Sequence, residues 1–320
     1  MHLIRTAIFV SSLLLSTAIS HAQPAELTKY TSGINSAKMQ SKLSFISDDL
    51  TKGRASGSPG SLIVSSFLRK EFSRLGMIPF YSTTFTQSFA IPESSVIGRN
   101  IIGVIPSLYY TDQYILISAH YDHLGIIGGN IYNGADDNAS GVTALLTIAE
   151  LFSQMREIRQ GPRKNIIFAL FDAKESNMEG SLYFSKNLPV NSSKISHSIN
   201  IDQIGCTFAP PGKRENYILY VADSKIRGDI KKRLDGIKRK YEMDIEIDHS
   251  FYNSPAFYEI FLRTSDQYNT TAAGIPSVMF TSGIHMHTYK PTDEHYFINY
   301  PVLTERTKLL FYLMNQLISN

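Results

Sequence analysis

Cysteine and tryptophan are nearly missing from this chain of 320 residues. It has one cysteine, Cys206, and no tryptophan. A single cysteine cannot form an internal disulfide, so the stability of the fold has to come from its hydrophobic core. Cys206 lies in an apolar context typical of a strand, which predicts a small buried side chain and not a reactive thiol.

An excess of charge of one sign is also lacking. The 31 basic and 28 acidic residues leave a formal net charge of +3. The densest basic runs, at 231–233 and 238–240, are typical of a solvated helix face, whereas nucleic-acid binding needs a concentrated basic patch. We therefore predict no nucleic-acid partner. Hydrophobic residues make up 43% and charged residues 18% of the chain, which is the composition of an ordinary globular protein.

Long hydrophobic runs do not occur beyond the start of the chain, so no membrane span is expected. At the start, Arg5 precedes a short apolar stretch that ends at Ser20-His21-Ala22. This stretch is shorter than the roughly 20 residues of a comfortable membrane helix, and small residues stand at the two positions that a signal peptidase reads. The pattern predicts a signal peptide at 1–22, export to the periplasm or beyond, and a mature domain at 23–320.

Segments with strand spacing alternate with segments of helical spacing, which predicts a layered α/β fold in one domain. Strands are predicted at 80–89, 100–105, 114–118, 165–171, 198–201, 217–222 and 277–280, and helices at 34–50, 62–75, 142–155, 176–186, 226–241 and 302–318. The segment 165–171 is almost continuously apolar, as expected for a strand in a sheet that is covered on both faces.

Two motifs in the middle of the chain predict a metal site. His120 and Asp122 stand two residues apart at the end of a predicted strand, so their side chains point the same way. Asp136 and Asp137 follow in a glycine-bounded loop that precedes a predicted helix. Imidazole and carboxylate are the ligands of a catalytic zinc ion that keeps one position open for water.

Polar residues follow three further predicted strands. Lys174 and Glu175 come after 165–171, Asp202 comes after 198–201, and a loop rich in histidine, 281–293, comes after 277–280. Open α/β sheets build their sites at the ends of such strands. The sequence therefore predicts one site at the rim of the sheet.

The order and spacing of these motifs resemble the M28 family of zinc exopeptidases, which includes aminopeptidases with two co-catalytic zinc ions. The resemblance covers nearly all of the predicted mature chain, from the Gly53-Arg54 loop to the turn at Pro291 to Asp293. It implies a single-domain zinc-aminopeptidase-like α/β fold, with a mixed central sheet and helices on both faces. It also implies peptide substrates.

The resemblance assigns ligands position by position. His120 matches the first imidazole ligand, and Asp137 matches the carboxylate that bridges both metal ions. Glu175 matches a ligand of one ion and Asp202 a ligand of the other. Asp122 matches the acid that orients His120, a role that metal-bound imidazole usually requires.

Three positions depart from the family pattern. Lys174 stands where the family has the glutamate that acts as general base, Tyr289 stands where it has a second imidazole ligand, and Gln267 stands where many members have histidine. The resemblance then implies one well-bound zinc ion, held by His120, Asp137 and Asp202. A second ion is expected to bind weakly or not at all, unless Tyr289, His285 or His287 supplies the missing ligand.

We predict catalytic roles for Asp122, Lys174 and Tyr289, with Lys174 acting as a base only as a neutral amine. Glu179, one helical turn beyond Glu175, is a further candidate for the base. The other two histidines near these motifs, His123 and His295, are expected at the surface or behind the ligands.

Three functions follow from this set of residues. The preferred one is an exported zinc-dependent exopeptidase, most simply an aminopeptidase with an altered site. The second is a catalytically impaired relative that binds peptides. The third is a one-zinc acyl transferase similar to glutaminyl cyclases, which share the fold; the absence of tryptophan counts against it, because those enzymes usually have a tryptophan-rich pocket. No oligomeric state is predicted.

Overall fold

The computed structural model describes residues 24–81, 83–206, 213–250 and 254–319. The predicted signal peptide, 1–22, lies outside the described residues. Within the described part of the chain, no helix is both long and apolar enough to cross a membrane.

Helices and strands alternate along the chain, as the sequence predicted. The helices are α1 (Pro24–Thr31), α2 (Ser36–Ile46), α3 (Pro59–Arg74), α4 (Gly141–Glu157), α5 (Glu179–Lys186), α6 (Arg227–Lys240), α7 (Pro255–Phe261), α8 (Gln267–Ala272) and α9 (Tyr300–Ser319). The strands are β1 (Ile78–Pro79), β2 (Thr86–Ala90), β3 (Ile97–Ile105), β4 (Tyr114–His120), β5 (Gly125–Ile127), β6 (Asn130–Tyr132), β7 (Asn165–Phe171), β8 (Ile195–Ile201), β9 (Tyr217–Ala222), β10 (Glu246–Asp248) and β11 (Ser277–Thr281).

Within the residues that the structure describes, nine strands form one mixed sheet, in the order β1-β3-β7-β4-β8-β11-β9-β10, with β2 also paired to β3. At its centre, β7, β4, β8 and β11 are parallel neighbours, and β3 and β9 run antiparallel to β7 and β11. The carboxyl ends of the four parallel strands therefore meet at one rim of the sheet, where α/β proteins place their sites.

Both faces of the sheet are covered, which explains the apolar character of β7. Its residues alternate between two cores: Phe168 packs on one face with residues of α2, α3, α4, α6 and α9, and Ala169 packs on the other face with residues that include Phe184 of α5. The α/β fold with helices on both faces is thereby confirmed. Cys206 is buried, as predicted.

Element bounds differ from prediction where local backbone conformation intervenes. The helix predicted at 34–50 ends at Ile46, because Asp48 caps a separate 3₁₀ turn, Asp49–Arg54. The hairpin of β5 and β6 was not predicted, although its Gly128-Gly129 turn has positive φ at both residues (57° and 81°) and is a recognised hairpin signal. Strands of three residues are too short to show a clear alternation.

Candidate metal centre

Four predicted ligands converge at the rim of the sheet, although they come from distant parts of the chain. His120 is the last residue of β4, Asp202 directly follows β8, and Glu175 follows β7 by four residues. Asp137 lies in the irregular turn that leads into α4. His120 and Asp137 are fully buried and Asp202 is 3% exposed, so their side chains face inward.

His120 is close enough to two of these carboxylates to share a metal ion with them. His120 Nε2 lies 3.3 Å from Asp137 Oδ1 and 3.4 Å from Asp202 Oδ1. Tetrahedral zinc with bonds of about 2.0 to 2.2 Å separates neighbouring ligand atoms by about 3.3 to 3.6 Å. Both carboxylate oxygens of Asp137 are buried and accept no hydrogen bond from the described residues. Such orphaned oxygens need a partner, and the donor set fits one zinc ion.

The turn that carries Asp137 is braced from the C-terminal part of the chain. The carboxylate of Asp293 accepts hydrogen bonds from the backbone N–H groups of Asp136 and Asp137, at 2.9 and 3.0 Å. Asp136 faces away from the ligands, because its carboxylate accepts a hydrogen bond from Gly205 N–H and lies 3.0 Å from His285 Nε2. Asp136 and His285 thus support the turn.

Asp122 connects the two strand ends that carry ligands. Its carboxylate accepts hydrogen bonds from the backbone N–H groups of Lys174 (3.1 Å) and Glu175 (3.0 Å). His120 Nδ1 lies 3.1 Å from the backbone oxygen of Asp122 and 3.7 Å from its carboxylate. Asp122 therefore orients the His120 ring mainly through its backbone and positions residues 174–175 through its side chain.

Lys174 points into the site. Its Nζ donates to Glu175 Oε1 at 3.0 Å and to Tyr289 Oη at 3.2 Å, and lies 3.7 Å from Asp137 Oδ1. Burial alone lowers the pKa of Lys174, but the carboxylates of Asp137, Asp202 and Glu175 outweigh burial and raise that pKa well above its usual value. Lys174 is therefore an ammonium at neutral pH, whereas a base would have to be the neutral amine.

Glu175 shows the opposite balance. Burial and the nearby carboxylate of Asp137 raise its pKa to about 7, although Lys174 opposes the shift. Its ligand atom lies within 4.8 Å of those of His120 and Asp137. Glu175 therefore belongs to the same cluster as His120 and Asp137 and contacts Lys174 at 3.0 Å.

His123 is buried next to the ligands; this rules out the surface, the first of the two places predicted for it, and is compatible with the second, behind the ligands. It is 1% exposed, and neither ring nitrogen forms a hydrogen bond with the described residues. Its Nδ1 lies 3.8 Å from Glu175 Oε1 and 4.0 Å from Asp137 Oδ2, and its ring is parallel to that of Tyr289. Burial lowers the pKa of His123 to about 3, so the ring is neutral. Only the spacing from His120 could have pointed to it.

The other candidate residues lie around this centre. Tyr289 is half exposed and reaches the site through its hydroxyl. His287 Nδ1 lies 2.9 Å from Thr292 Oγ1, outside the cluster. Gln267 is buried and donates to the backbone oxygen of Phe261. The missing imidazole is thus supplied by neither position 267 nor position 287 in this arrangement.

A cleft of about 610 Å³ opens beside the centre. Asp122, His123 and Glu175 form its inner wall, and Glu93 and Glu179 lie along it. Glu179, the other candidate base, therefore shares the cleft with the centre. The cleft gives a substrate direct access to the ligand cluster, and its acidic residues favour a cationic group.

The chain was compared with known families and proteins. The profile of peptidase family M28 matches residues 100–314. Leupeptin-inactivating enzyme 1 of Streptomyces exfoliatus is 28% identical over 250 residues, which are 76% of this chain and 52% of that protein. The match thus spans about half the length of that relative.

Solved structures share the fold. LapA of Legionella pneumophila superposes with a TM-score of 0.69 at 17% identity, over 92% of this chain and 76% of that one. Glutaminyl cyclase of Porphyromonas gingivalis superposes with a TM-score of 0.68 at 17% identity, over 89% and 99% of the two chains. At these identities the superpositions support the fold alone. Any activity has to be argued from the residues of the site.

Proposed function

Because the chain belongs to peptidase family M28, a family of zinc exopeptidases, we propose that it is a zinc-dependent aminopeptidase holding one tightly bound ion. The observation that carries this proposal is the position of His120 Nε2, which lies at ligand spacing from both Asp137 Oδ1 and Asp202 Oδ1 in a buried site. A zinc ion bound there would lower the pKa of its water and polarise the scissile carbonyl.

Residues around the proposed ion affect the rate of hydrolysis in different ways. Ser265 donates a hydrogen bond to Asp202 Oδ2 and so leaves Oδ1 directed towards His120. Lys174 brings positive charge to the site and can donate a hydrogen bond to an oxygen that becomes negative during the reaction. As an ammonium it cannot accept the proton of the attacking water. We therefore propose slow turnover, reduced by the roughly 10²- to 10⁴-fold that general bases supply.

Removal of residues from free N-termini is the proposed specificity. The cleft beside the ligands carries the carboxylates of Glu93 and Glu179, which would attract the α-ammonium of a peptide. Neither lysine nor arginine is among the residues that line it, and such a residue would be needed to hold the C-terminal carboxylate of a carboxypeptidase substrate.

We expect the zinc-loaded protein to hydrolyse a short peptide from its free N-terminus and to cleave the N-acetylated form of that peptide much more slowly. The reason is that acetylation removes the charge that the acidic cleft would bind. Mass spectrometry of timed digests measures both rates. Equal rates on the two peptides would contradict the aminopeptidase, and cleavage within a folded protein would contradict an exopeptidase.

The same assay separates the other two functions. A peptide with N-terminal glutamine would be converted to its pyroglutamyl form by a cyclase, with loss of ammonia and without loss of a residue. Tight binding of peptides with no turnover of any kind would identify a peptide-binding protein. Loss of a residue and loss of ammonia give different mass changes in the digests, whereas the peptide-binding protein gives none and is identified by a binding measurement on the same peptides.

We also propose that the protein is exported, on the basis of the charged, apolar and small-residue pattern of 1–22. A mature N-terminus at Gln23, determined by sequencing the protein recovered from outside the cytoplasm, would support export. An intact N-terminus on cytoplasmic protein would contradict it.

A further inference from the structure

The two main departures from the family pattern are in direct contact. Lys174 and Tyr289 are 115 residues apart in the chain, yet Lys174 Nζ donates to Tyr289 Oη at 3.2 Å. Lys174 is 7% exposed and Tyr289 is half exposed, so the contact is partly shielded from water. Two unusual residues in direct contact form one arrangement and have to be explained together.

The ammonium of Lys174 is surrounded by oxygens. Glu175 Oε1 and Tyr289 Oη accept its hydrogen bonds, and Asp137 Oδ1 lies 3.7 Å away. An ammonium has three N–H donors and no acceptor, so it is stabilised by the kind of oxygen cluster that would also bind a metal cation. These oxygens belong to Asp137, Glu175 and Tyr289. In the family pattern these three positions supply the ligands of the second metal ion.

We infer that the ammonium of Lys174 takes the place of a second metal ion, so that this site combines one metal ion with one built-in organic cation. The inference rests on the proposed function in taking His120, Asp137 and Asp202 to hold the single ion. It goes further by assigning to Lys174 the electrostatic role of the missing ion.

The charges of the buried site agree with this arrangement. When Asp137, Glu175 and Asp202 are all ionised they bring three negative charges, and one divalent ion with one ammonium would neutralise them. A second divalent ion beside Lys174 would leave a net excess of positive charge in a buried site, which is strongly unfavourable. Lys174 therefore stabilises the carboxylates and at the same time excludes a second ion.

The test is the zinc content of the purified protein, measured by elemental analysis after dialysis against buffers of increasing free zinc. The unmodified protein should reach about one ion per chain and stay there. Lys174→Met, which keeps the length of the side chain but not its charge, should bind a second ion at least about 100-fold more tightly, because a repelling charge has been removed from contact distance. Lys174→Arg, which keeps the charge, should remain at one ion.

Lys42→Met provides a matched control. The Nζ of Lys42 lies 3.2 Å from Glu150 and 3.7 Å from Glu71, so its removal also takes an ammonium from two carboxylates, which Arg74 still contacts, on the helices and away from the ligand cluster. Zinc binding should be unchanged in this variant. A gain equal to that of Lys174→Met would mean that any freed pair of carboxylates attracts zinc, which would overturn the inference.

The remaining outcomes separate this inference from the proposed function. Two tightly bound ions in the unmodified protein would overturn the inference, and the unpaired ring of His123 would then be the first candidate for the extra ligand. If the unmodified protein binds no zinc ion, the proposed zinc enzyme is wrong. A gain of zinc in Lys174→Met would still support the inference that Lys174 excludes a metal ion. A second-ion affinity that does not change in Lys174→Met would overturn the inference whatever the peptidase activity.

Discussion

The double variant Lys174→Glu, Tyr289→His is expected to hydrolyse aminoacyl anilides about 100 to 10,000 times faster than the unmodified chain. Lys174→Glu places a carboxylate, which can accept a proton, at the position from which Lys174 reaches the site. Tyr289→His adds the imidazole expected at that position and removes the hydroxyl that binds the ammonium. Initial rates at matched zinc content measure the effect.

The single variants show why both changes are needed. Lys174→Glu alone adds a carboxylate to a site that already contains Asp137, Glu175 and Asp202, so it should gain less unless a second ion binds. Tyr289→His alone leaves the ammonium in place. If the unmodified protein is fast and Lys174→Glu slows it, Lys174 is part of a different mechanism. A double variant that binds zinc but remains inactive would favour the peptide-binding protein.

The variant His120→Ala is expected to lose tight zinc binding. His120 Nε2 contacts both Asp137 and Asp202, so without it two carboxylates remain without the imidazole that joins them. The loss should exceed the roughly 10- to 100-fold cost that is usual for a group that only orients a ligand. At zinc concentrations about 100 times Kd, binding stabilises a protein by about 2.7 kcal/mol, so the zinc-dependent rise in Tm should disappear.

Two variants make this result specific. His197→Ala removes another partly buried histidine, one that interacts with Lys164 and Arg233, and should keep the zinc-dependent rise in Tm. Asp122→Asn should retain zinc with affinity reduced about 10- to 100-fold, because the backbone oxygen of Asp122 still meets the His120 ring. Unchanged zinc binding in His120→Ala would show that another set of residues holds the ion.

Much of the fold was predictable because its signals are local. The strands 165–171 and 217–222 have the predicted bounds, since an uninterrupted apolar segment can be buried only within a sheet covered on both faces. Elements shorter than four residues, such as β5 and β10, were not predicted, because three side chains are too few to show a periodic pattern. The C-terminal end of α2 at Ile46 was not predicted, because Asp48 caps a separate 3₁₀ turn directly after it.

The convergence of three predicted ligands, His120, Glu175 and Asp202, was also predictable, because each follows an apolar strand and the parallel strands end at one rim. His120 and Asp202 illustrate this: both come at the end of a readable strand, and their spacing in the structure depends only on the pairing of β4 with β8. Asp137 comes instead from the glycine-bounded turn before α4. Local patterns therefore indicated which residues would meet and what chemistry they would offer.

The sequence by itself determined the α/β class, because that class depends on patterns within single segments. It also predicted a site at the rim of the sheet, and the family resemblance supplied the expected ligands. The tertiary structure alone decided the contact between Lys174 and Tyr289, the inward orientation of His123 and the brace from Asp293 to the Asp137 turn. These features join segments far apart in the chain. Their geometry depends on how loops pack over the rim of the sheet, and no periodicity within a segment records that packing.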